Sequence, residues 1–407
     1  MNYVIKSPVS LNASVKLPAS KSICNRALIL GALSYSPYEI QNLSDCDDTE
    51  VMVRALDSNE RDFDIKAAGT AMRFLTAFLS KVVGEWTITG TERMKNRPIR
   101  ILVDALNSLG ARVEYVEKEG FPPLRIFGSA LRGGEISLAG GVSSQYISAL
   151  LMIAPMMEEG LTLHLEGTII SKPYINLTLQ LMAQYGVRAE WNGQTITVRP
   201  QEYHPIPFTV ESDWSAASYW YSMMALSRDA EIELLGLFKN SLQGDAAGAG
   251  LFAYLGVGTT FTDRGVLLKH NGDSTKKLNY NFVNEPDLAQ TFVVTCVLLN
   301  TPFRFTGLQS LKIKETDRIE ALKTELRKLG YLLTDSNDSI LEWNGERCEP
   351  EAHPVIATYE DHRMAMAFAP AALVRPEGIE IANPEVVSKS YPHYWEDLQN
   401  AGFCIKN

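Results

Sequence analysis

The sequence predicts an α/β protein built from repeated units that group into two domains, on three observations. A helix with leucines at helical spacing, a glycine and a strand recurs along the chain, with its glycine at Gly110, Gly186, Gly256, Gly330 and Gly402. These glycines are 76, 70, 74 and 72 residues apart, a period of about 70 that gives roughly six units in 407 residues. Strand-like pairs follow, as in Arg112 to Val116 with Leu124 to Ile126, and Ala189 to Trp191 with Thr195 to Val198. Each glycine sits where a helix ends, at the position that favours a left-handed backbone.

Bulk properties narrow the function. The composition, 45% hydrophobic and 21% charged, is that of a soluble globular chain with ample core. A net charge of −10 argues against a nucleic-acid surface. Basic residues nevertheless concentrate in short motifs beside Gly, Ser and Thr, which points to a small anion in a local positive cleft. The longest apolar stretches, Ala149 to Met157 and Met364 to Val374, are too short to span a bilayer. The start M-N-Y-V-I-K-S-P lacks the apolar stretch of a secretion signal. Cys24, Cys46, Cys296, Cys348 and Cys404 are scattered with no C-x-x-C, and the histidines have no H-x-x-x-H spacing. A cytoplasmic protein without a metal site is expected.

The chemical motifs run in order along the chain. L-P-A-S-K-S-I-C-N-R-A-L-I-L, Leu17 to Leu30, predicts a helix from about Ser22 with Ile23, Ala27, Leu30 and Leu33 on its apolar face. Lys21, Ser22 and Arg26 then cluster at its first turn, where free amides and the positive dipole end already favour an anion. In A-A-G-T-A-M-R-F-L, Ala67 to Leu75, Gly69 permits close approach to the backbone, Thr70 can cap, and Arg73 lies one turn in. R-M-K-N-R-P-I-R packs Arg93, Lys95, Arg97 and Arg100 around Pro98, which is expected at the first position of a helix.

Ser143, Ser144 and Gln145 open a long apolar helix and offer more polar groups than capping needs. Ser171-Lys172-Pro173-Tyr174 repeats the theme. Asp213-Trp214-Ser215 and Asn240 to Asp245 read as caps and turns. Asp287 lies near the start of the apolar helix Leu288 to Leu299. Lys314-Glu315-Thr316-Asp317-Arg318 is expected to open the helix before Gly330, with Lys314, Asp317 and Arg318 able to share a face. Like charges at that spacing repel, so a purely solvated role explains them poorly. Asp361-His362-Arg363 opens another apolar helix, and Lys389 lies in V-S-K-S-Y-P.

Taken as an ordered set, L-P-A-S-K-S-x-x-N-R-A-L, A-G-T-A-M-R, R-M-x-x-R-P-I, V-S-S-Q, S-K-P-Y, N-S-x-Q-G-D, K-E-T-D-R, D-H-R-M-A-M and the Lys389 segment resemble the EPSP synthase family of enolpyruvyl transferases, from about Leu17 to about Pro392. The resemblance implies two similar domains, each of three βαβαββ repeats in an inside-out α/β barrel, with the active site in the interdomain cleft. It places residues 1–18 and 212–407 in one discontinuous domain and 19–211 in the other.

It also implies transfer of the enolpyruvyl group of phosphoenolpyruvate to the 5-hydroxyl of shikimate 3-phosphate by addition and elimination, a step toward chorismate and aromatic amino acids. Catalysis would fall to Asp287, Glu315 and Lys21. Shikimate 3-phosphate would be held by Lys21, Ser22, Arg26, Ser143, Ser144, Gln145, Ser171, Asp287 and Lys314, with Tyr174 beside them. Phosphoenolpyruvate would be held by Lys21, Gly69, Arg97, Gln145, Arg318, Arg363 and Lys389, with Arg73 and His362 nearby. No cofactor or metal, a monomer, and no nucleic-acid or membrane partner are expected. Ala67 and Phe74 stand where many members have Asn and Pro, which leaves sensitivity to the analogue glyphosate open. Two rivals are a catalytically inactive anion-binding member of the same fold and the UDP-N-acetylglucosamine enolpyruvyl transferase, whose pattern includes a reactive Cys on a mobile loop.

Overall fold

A computed structural model describes all residues 1–407. The chain divides into two compact units, one formed by Met1–Pro18 with Glu211–Asn407 and one inserted between them, Ala19–Val210. Glu211, expected as the last residue of the inserted unit, belongs to the terminal one. Its carboxylate accepts hydrogen bonds from Ser241 Oγ at 2.6 Å and Gln243 Nε2 at 2.9 Å, which tie it there.

In the terminal unit one sheet pattern occurs three times. Leu278–Asn281 pairs parallel with Phe303–Thr306, which pairs antiparallel with Ile340–Trp343, flanked in turn by Thr334–Ser336. The parallel pair requires a crossover, supplied by the helix Ala289–Leu298; the helix Arg318–Lys328 connects Phe303–Thr306 to the hairpin of Thr334–Ser336 and Ile340–Trp343, which closes on a short turn. Leu11–Lys16 and Ala230–Leu235 form the parallel pair of a second such sheet, with Gly265–His270 and Val257–Phe261 completing it. The inserted unit leaves the chain inside this sheet's crossover, between the strand Leu11–Lys16 and the helix Trp214–Leu226. In the third sheet Val355–Ile356 and Ile379–Ala382 are parallel, and the N-terminal strand Asn2–Lys6 lies between Ile379–Ala382 and the C-terminal Cys404–Lys406.

The inserted unit repeats the pattern with Asp62–Asp64, Gly84–Thr89, Leu124–Gly128 and Arg112–Tyr115, and with Gly134–Ala139, Leu161–Glu166, Thr195–Val198 and Ala189–Asn192. Its third repeat is reduced to a two-residue parallel pair, Ile40–Gln41 with Phe208–Thr209. Pro205 and Pro207 precede that strand, and proline has no N–H to donate to a ladder.

The five recurring glycines all adopt left-handed φ values between 90° and 97°, as a helix end followed by a turn to a strand demands. Helices fill the middle of each unit. Every residue of Ala289–Leu298 and of His362–Phe368 is buried, and only Ser215 of Trp214–Leu226 is not. A helix apolar on all sides belongs inside, so these three pack on one another with sheets outside them. Phe252, Phe282 and Phe292 join there, with ring centroids 4.3 and 5.6 Å from Phe292. Trp214 packs beside Tyr221 and Phe261. Gly69–Lys81, Ser144–Ile153 and Lys172–Gln184 play the same part in the inserted unit beside Lys21–Leu33. On that last helix Ile23, Ala27, Leu30 and Leu33 are all buried, as the spacing requires.

Two local expectations are corrected. Pro98 lies outside the helix Arg100–Ser108, whose cap is Ile99, because Pro98 precedes a non-helical residue there. The helix before Gly330 starts only at Arg318: Asp317 Oδ1 accepts from the amides of Ile319 and Glu320 at 3.1 and 3.2 Å and so caps it. Lys314 and Glu315 therefore precede the helix and do not share its face.

Candidate active site

In the inserted unit the predicted residues gather at helix starts. Arg26 is buried, yet its hydrogen-bond partners are all neutral. Nε donates to Thr178 Oγ1 at 2.7 Å, Nη1 to the Ser22 carbonyl at 2.8 Å, and Nη2 to Ser148 Oγ at 3.1 Å and the Tyr174 carbonyl at 3.3 Å. Burial lowers its pKa to about 10, the mark of a charge removed from water without a counter-anion. Its guanidinium lies over the Phe74 ring at 5.3 Å, a cation–π contact that replaces part of the lost hydration. Ser171 precedes Lys172–Gln184, the helix that carries Thr178 and Tyr174, with a left-handed φ of 53°, rare for a residue other than glycine.

Gly69 begins the helix Gly69–Lys81, which has no acidic residue in its first turn. A Cβ added to Gly69 would lie 2.6 Å from Arg97 Nη1, so the guanidinium rests directly against the helix start. A cation at the positive end of a helix dipole is unfavourable alone and favourable with an anion between them. Arg73 Nη1 donates to the Gly69 carbonyl at 3.0 Å, and so serves backbone geometry. Gln145 Nε2 reaches Thr70 Oγ1 at 3.1 Å, joining this start to that of Ser144–Ile153. Ser143 caps the latter helix, accepting from the Gln145 amide at 3.3 Å, and Ser144 follows it partly exposed. Lys21 Nζ lies 3.2 Å from Asp48 Oδ2.

The terminal unit organises its charges around Arg318. The guanidinium is 2% exposed and meets three carboxylates: Asp361 through Nε at 2.7 Å, Glu315 through Nη2 at 3.0 Å and Asp287 through Nη1 at 3.3 Å. Burial alone would lower its pKa; the three acids outweigh it and raise it. Arg363 Nη2 holds Asp287 Oδ2 at 2.8 Å, Lys314 Nζ lies 3.6 Å from Asp287 Oδ1, and Lys389 Nζ bonds Glu315 Oε1 at 2.8 Å. Burial pulls the Asp287 carboxyl upward, yet Arg363, Lys314 and Arg318 together hold it well below the ordinary carboxylate range. Asp361 caps His362–Phe368 by accepting from the Arg363 amide at 2.9 Å, so one acid fixes both arginines. His362 Nδ1 is 3.7 Å from Asp361 Oδ1.

The predicted residues thus fall into two sets. Lys21, Ser22, Arg26, Gly69, Arg97, Ser143, Ser144, Gln145 and Ser171 belong to the inserted unit; Asp287, Lys314, Glu315, Arg318, Arg363 and Lys389 belong to the terminal one. Sequence reasoning missed Asp48, whose signal was an acidic first turn in the helix Asp47–Asp57. It also passed over Asp361, whose position just before His-Arg was the available cue. Asp245, read as part of a turn, is buried near Asp287 and takes a hydrogen bond from Ser215 Oγ. Burial, then the Asp287 charge, pushes its carboxyl up to about 7.

Comparison with known proteins bears on the whole chain. The family described as EPSP synthase (3-phosphoshikimate 1-carboxyvinyltransferase) matches residues 5–58 and 56–398. The chain belongs to the EPSP synthase family. It is 65% identical over 407 residues to the 3-phosphoshikimate 1-carboxyvinyltransferase of Bacteroides fragilis strain YCH46, covering 100% of this chain and 99% of that relative. It is 37% identical to the protein of the same name from Photobacterium damsela subsp. piscicida, covering 98% of this chain and 99% of that one. The fold matches EPSP synthase from Acinetobacter baumannii with a TM-score of 0.80 at 19% identity, over 100% of both chains. The family's two-domain α/β fold is therefore that of this chain.

Gly69→Ala should push the Arg97 guanidinium off the helix start and weaken binding of small phosphorylated anions about tenfold or more, a loss of about 1.4 kcal/mol; titration calorimetry against phosphoenolpyruvate measures it. Asp245 gives a pH prediction. Its folded-state pKa of about 7 lies above the ordinary 3.8, so its contribution to stability is complete below about pH 4 and is lost as pH rises through about 7. Asp245→Asn should therefore gain stability over the parent, growing from about pH 4 to about pH 7 and level above, as urea unfolding at stepped pH would show.

Proposed function

We propose that this chain is a 3-phosphoshikimate 1-carboxyvinyltransferase. It moves the enolpyruvyl group of phosphoenolpyruvate to the 5-hydroxyl of shikimate 3-phosphate and releases phosphate, in the shikimate route to aromatic amino acids. One observation carries the mechanistic reading. Asp287 and Glu315 are two partly buried carboxylates bridged by Arg318, with Arg363 and Lys314 also on Asp287 and Lys389 also on Glu315.

The substrates are small anions, and each of their charges finds a suitable receptor. Lys21, Gly69 with Arg97, Gln145, Arg318, Arg363 and Lys389 take the phosphate and carboxylate of phosphoenolpyruvate. Ser22, Arg26, Ser143, Ser144, Gln145, Ser171 and Lys314 take shikimate 3-phosphate. The burial of Arg26 among neutral partners suits it to a phosphate monoester, which supplies the missing counter-charge.

The reaction needs a proton added to the methylene carbon, attack of the hydroxyl on the adjacent carbon, and then loss of phosphate with return of that proton. Glu315 delivers and removes the proton at the methylene carbon. Asp287 accepts the hydroxyl proton, and Lys21 supports the departing phosphate. The cations around Asp287 make it a poor base in the free protein. A substrate anion on Arg363 and Arg318 offsets their charge, after which burial raises the carboxyl toward the range where it accepts a proton. The chemistry draws on both residue sets. Against the UDP-N-acetylglucosamine transferase reading stand the full-length relatives of 65% and 37% identity that carry the 3-phosphoshikimate 1-carboxyvinyltransferase name. Burial also pushes the Cys46 and Cys296 thiols up, away from the reactive thiolate.

Phosphate release should require both shikimate 3-phosphate and phosphoenolpyruvate; no release, with calorimetric binding of both, would identify an inactive member of the fold. Glu315→Gln should bind both substrates while turning over roughly 10²–10³-fold more slowly. Parental turnover in that variant removes Glu315 from proton transfer.

A further inference from the structure

We propose that Tyr146 is a positioning residue for Arg97, acting through the Pro98 carbonyl. This rests on the assignment of Arg97 to phosphoenolpyruvate. Tyr146 opens the helix that begins with Ser144 and Gln145, and its side chain runs to a different segment, where the hydroxyl donates to the Pro98 carbonyl at 2.5 Å. Pro98 itself is exposed and lies between two helices, Glu92–Lys95 and Arg100–Ser108, so its own side chain gives the peptide little anchorage.

The carbonyl is instead held from the buried side. Arg73 Nη2 donates to it at 3.4 Å while Nη1 of the same guanidinium donates to the Gly69 carbonyl at 3.0 Å. The Arg73 guanidinium lies 5.8 Å from the Tyr146 ring centroid and its Nη1 is 3.8 Å from Met94 Sδ. Arg97 is thereby held on both sides: its amide bonds the Met94 carbonyl at 3.0 Å, and one residue further on the Pro98–Ile99 peptide is pinned, its carbonyl by Tyr146 and Arg73 and its N–H by the Gly120 carbonyl at 2.9 Å. Both pinning side chains are buried, 7% and 4% exposed, so their hydrogen bonds are shielded from water and geometrically strict.

The guanidinium rests where a Gly69 Cβ would stand 2.6 Å away, and a shift of a few tenths of an ångström changes that fit. The Tyr146 hydroxyl sets this spacing. Its removal leaves the ring beneath Arg73 in place and frees the Pro98 carbonyl from its shortest bond. Tyr146 therefore links the helix bearing Ser144 and Gln145 to the segment that carries Arg97, with its own hydroxyl committed to the Pro98 carbonyl.

Steady-state kinetics of Tyr146→Phe, with Arg97→Ala alongside, test the proposal. Tyr146→Phe should raise the KM for phosphoenolpyruvate about three- to tenfold, with the KM for shikimate 3-phosphate and the Tm unchanged. Arg97→Ala should raise the same KM more than tenfold. An unchanged phosphoenolpyruvate KM in Tyr146→Phe, with the expected rise in Arg97→Ala, overturns the positioning role and leaves the site reading intact. An unchanged KM in both variants removes Arg97 from the phosphoenolpyruvate site and the positioning role with it. If both KM values of Tyr146→Phe rise while its kcat and Tm fall, Tyr146 is a packing residue and the proposal fails.

Discussion

The ion pairing of Arg318 is the constraint on which the C-terminal half of the molecule depends. A guanidinium this buried is costly to desolvate, and three carboxylates from three different segments offset that cost. Asp361 brings a helix start, Asp287 the turn into a buried helix, and Glu315 the stretch ahead of Arg318 itself. One side chain thus sets the mutual placement of Asp287, Glu315 and Asp361. Replacing it would leave the fully buried Asp361 carboxylate without its guanidinium partner, so this position answers to stability.

The two units solve the problem of storing charge differently. The terminal unit neutralises its cations internally, and a ligand must compete with resident carboxylates for them. The inserted unit leaves Arg26 on hydroxyls and carbonyls, and sets Arg97 against a helix start. Around Arg26 no carboxylate is among the hydrogen-bond partners, so an anion there need not displace one, whereas Lys21 in the same unit does have Asp48 as a partner. The acidic chain as a whole gives no hint of this, since its net charge of −10 is an average over a surface with which the functional groups have little to do.

Much of the architecture was legible because it is repetitive. Five glycines at nearly equal spacing mark helix ends that need a left-handed residue, and that need is local. The reduced third repeat of the inserted unit was hidden, because its strands are two residues long and leave no alternation to read. Lysines, arginines and serines of the site could be found where they cluster at a helix start, as with Lys21, Ser22 and Arg26. Asp361 and Asp48 could not be placed by spacing, because their partners are remote in the chain or lie on another helix. The reach of Asp317 to two amides, which moved the helix start past Lys314 and Glu315, is likewise decided by side-chain geometry that a charge pattern does not encode. Tyr146 follows Gln145 in a helix of apolar sequence; only its hydroxyl distinguishes it, and the acceptor lies 48 residues away.

The N-terminal strand Asn2–Lys6 occupies an interior place in a sheet whose other members all lie beyond residue 354. During synthesis, the segment made first must therefore wait for the segment made last, while everything needed for Ala19–Val210 is available about halfway through. Vectorial folding favours the inserted unit as an early, self-sufficient body. The terminal unit, closed by pairings that span nearly the whole polypeptide, completes only when the tail emerges. Its exposed strand edges in that interval are where a ribosome-bound chain would be most vulnerable to mispairing.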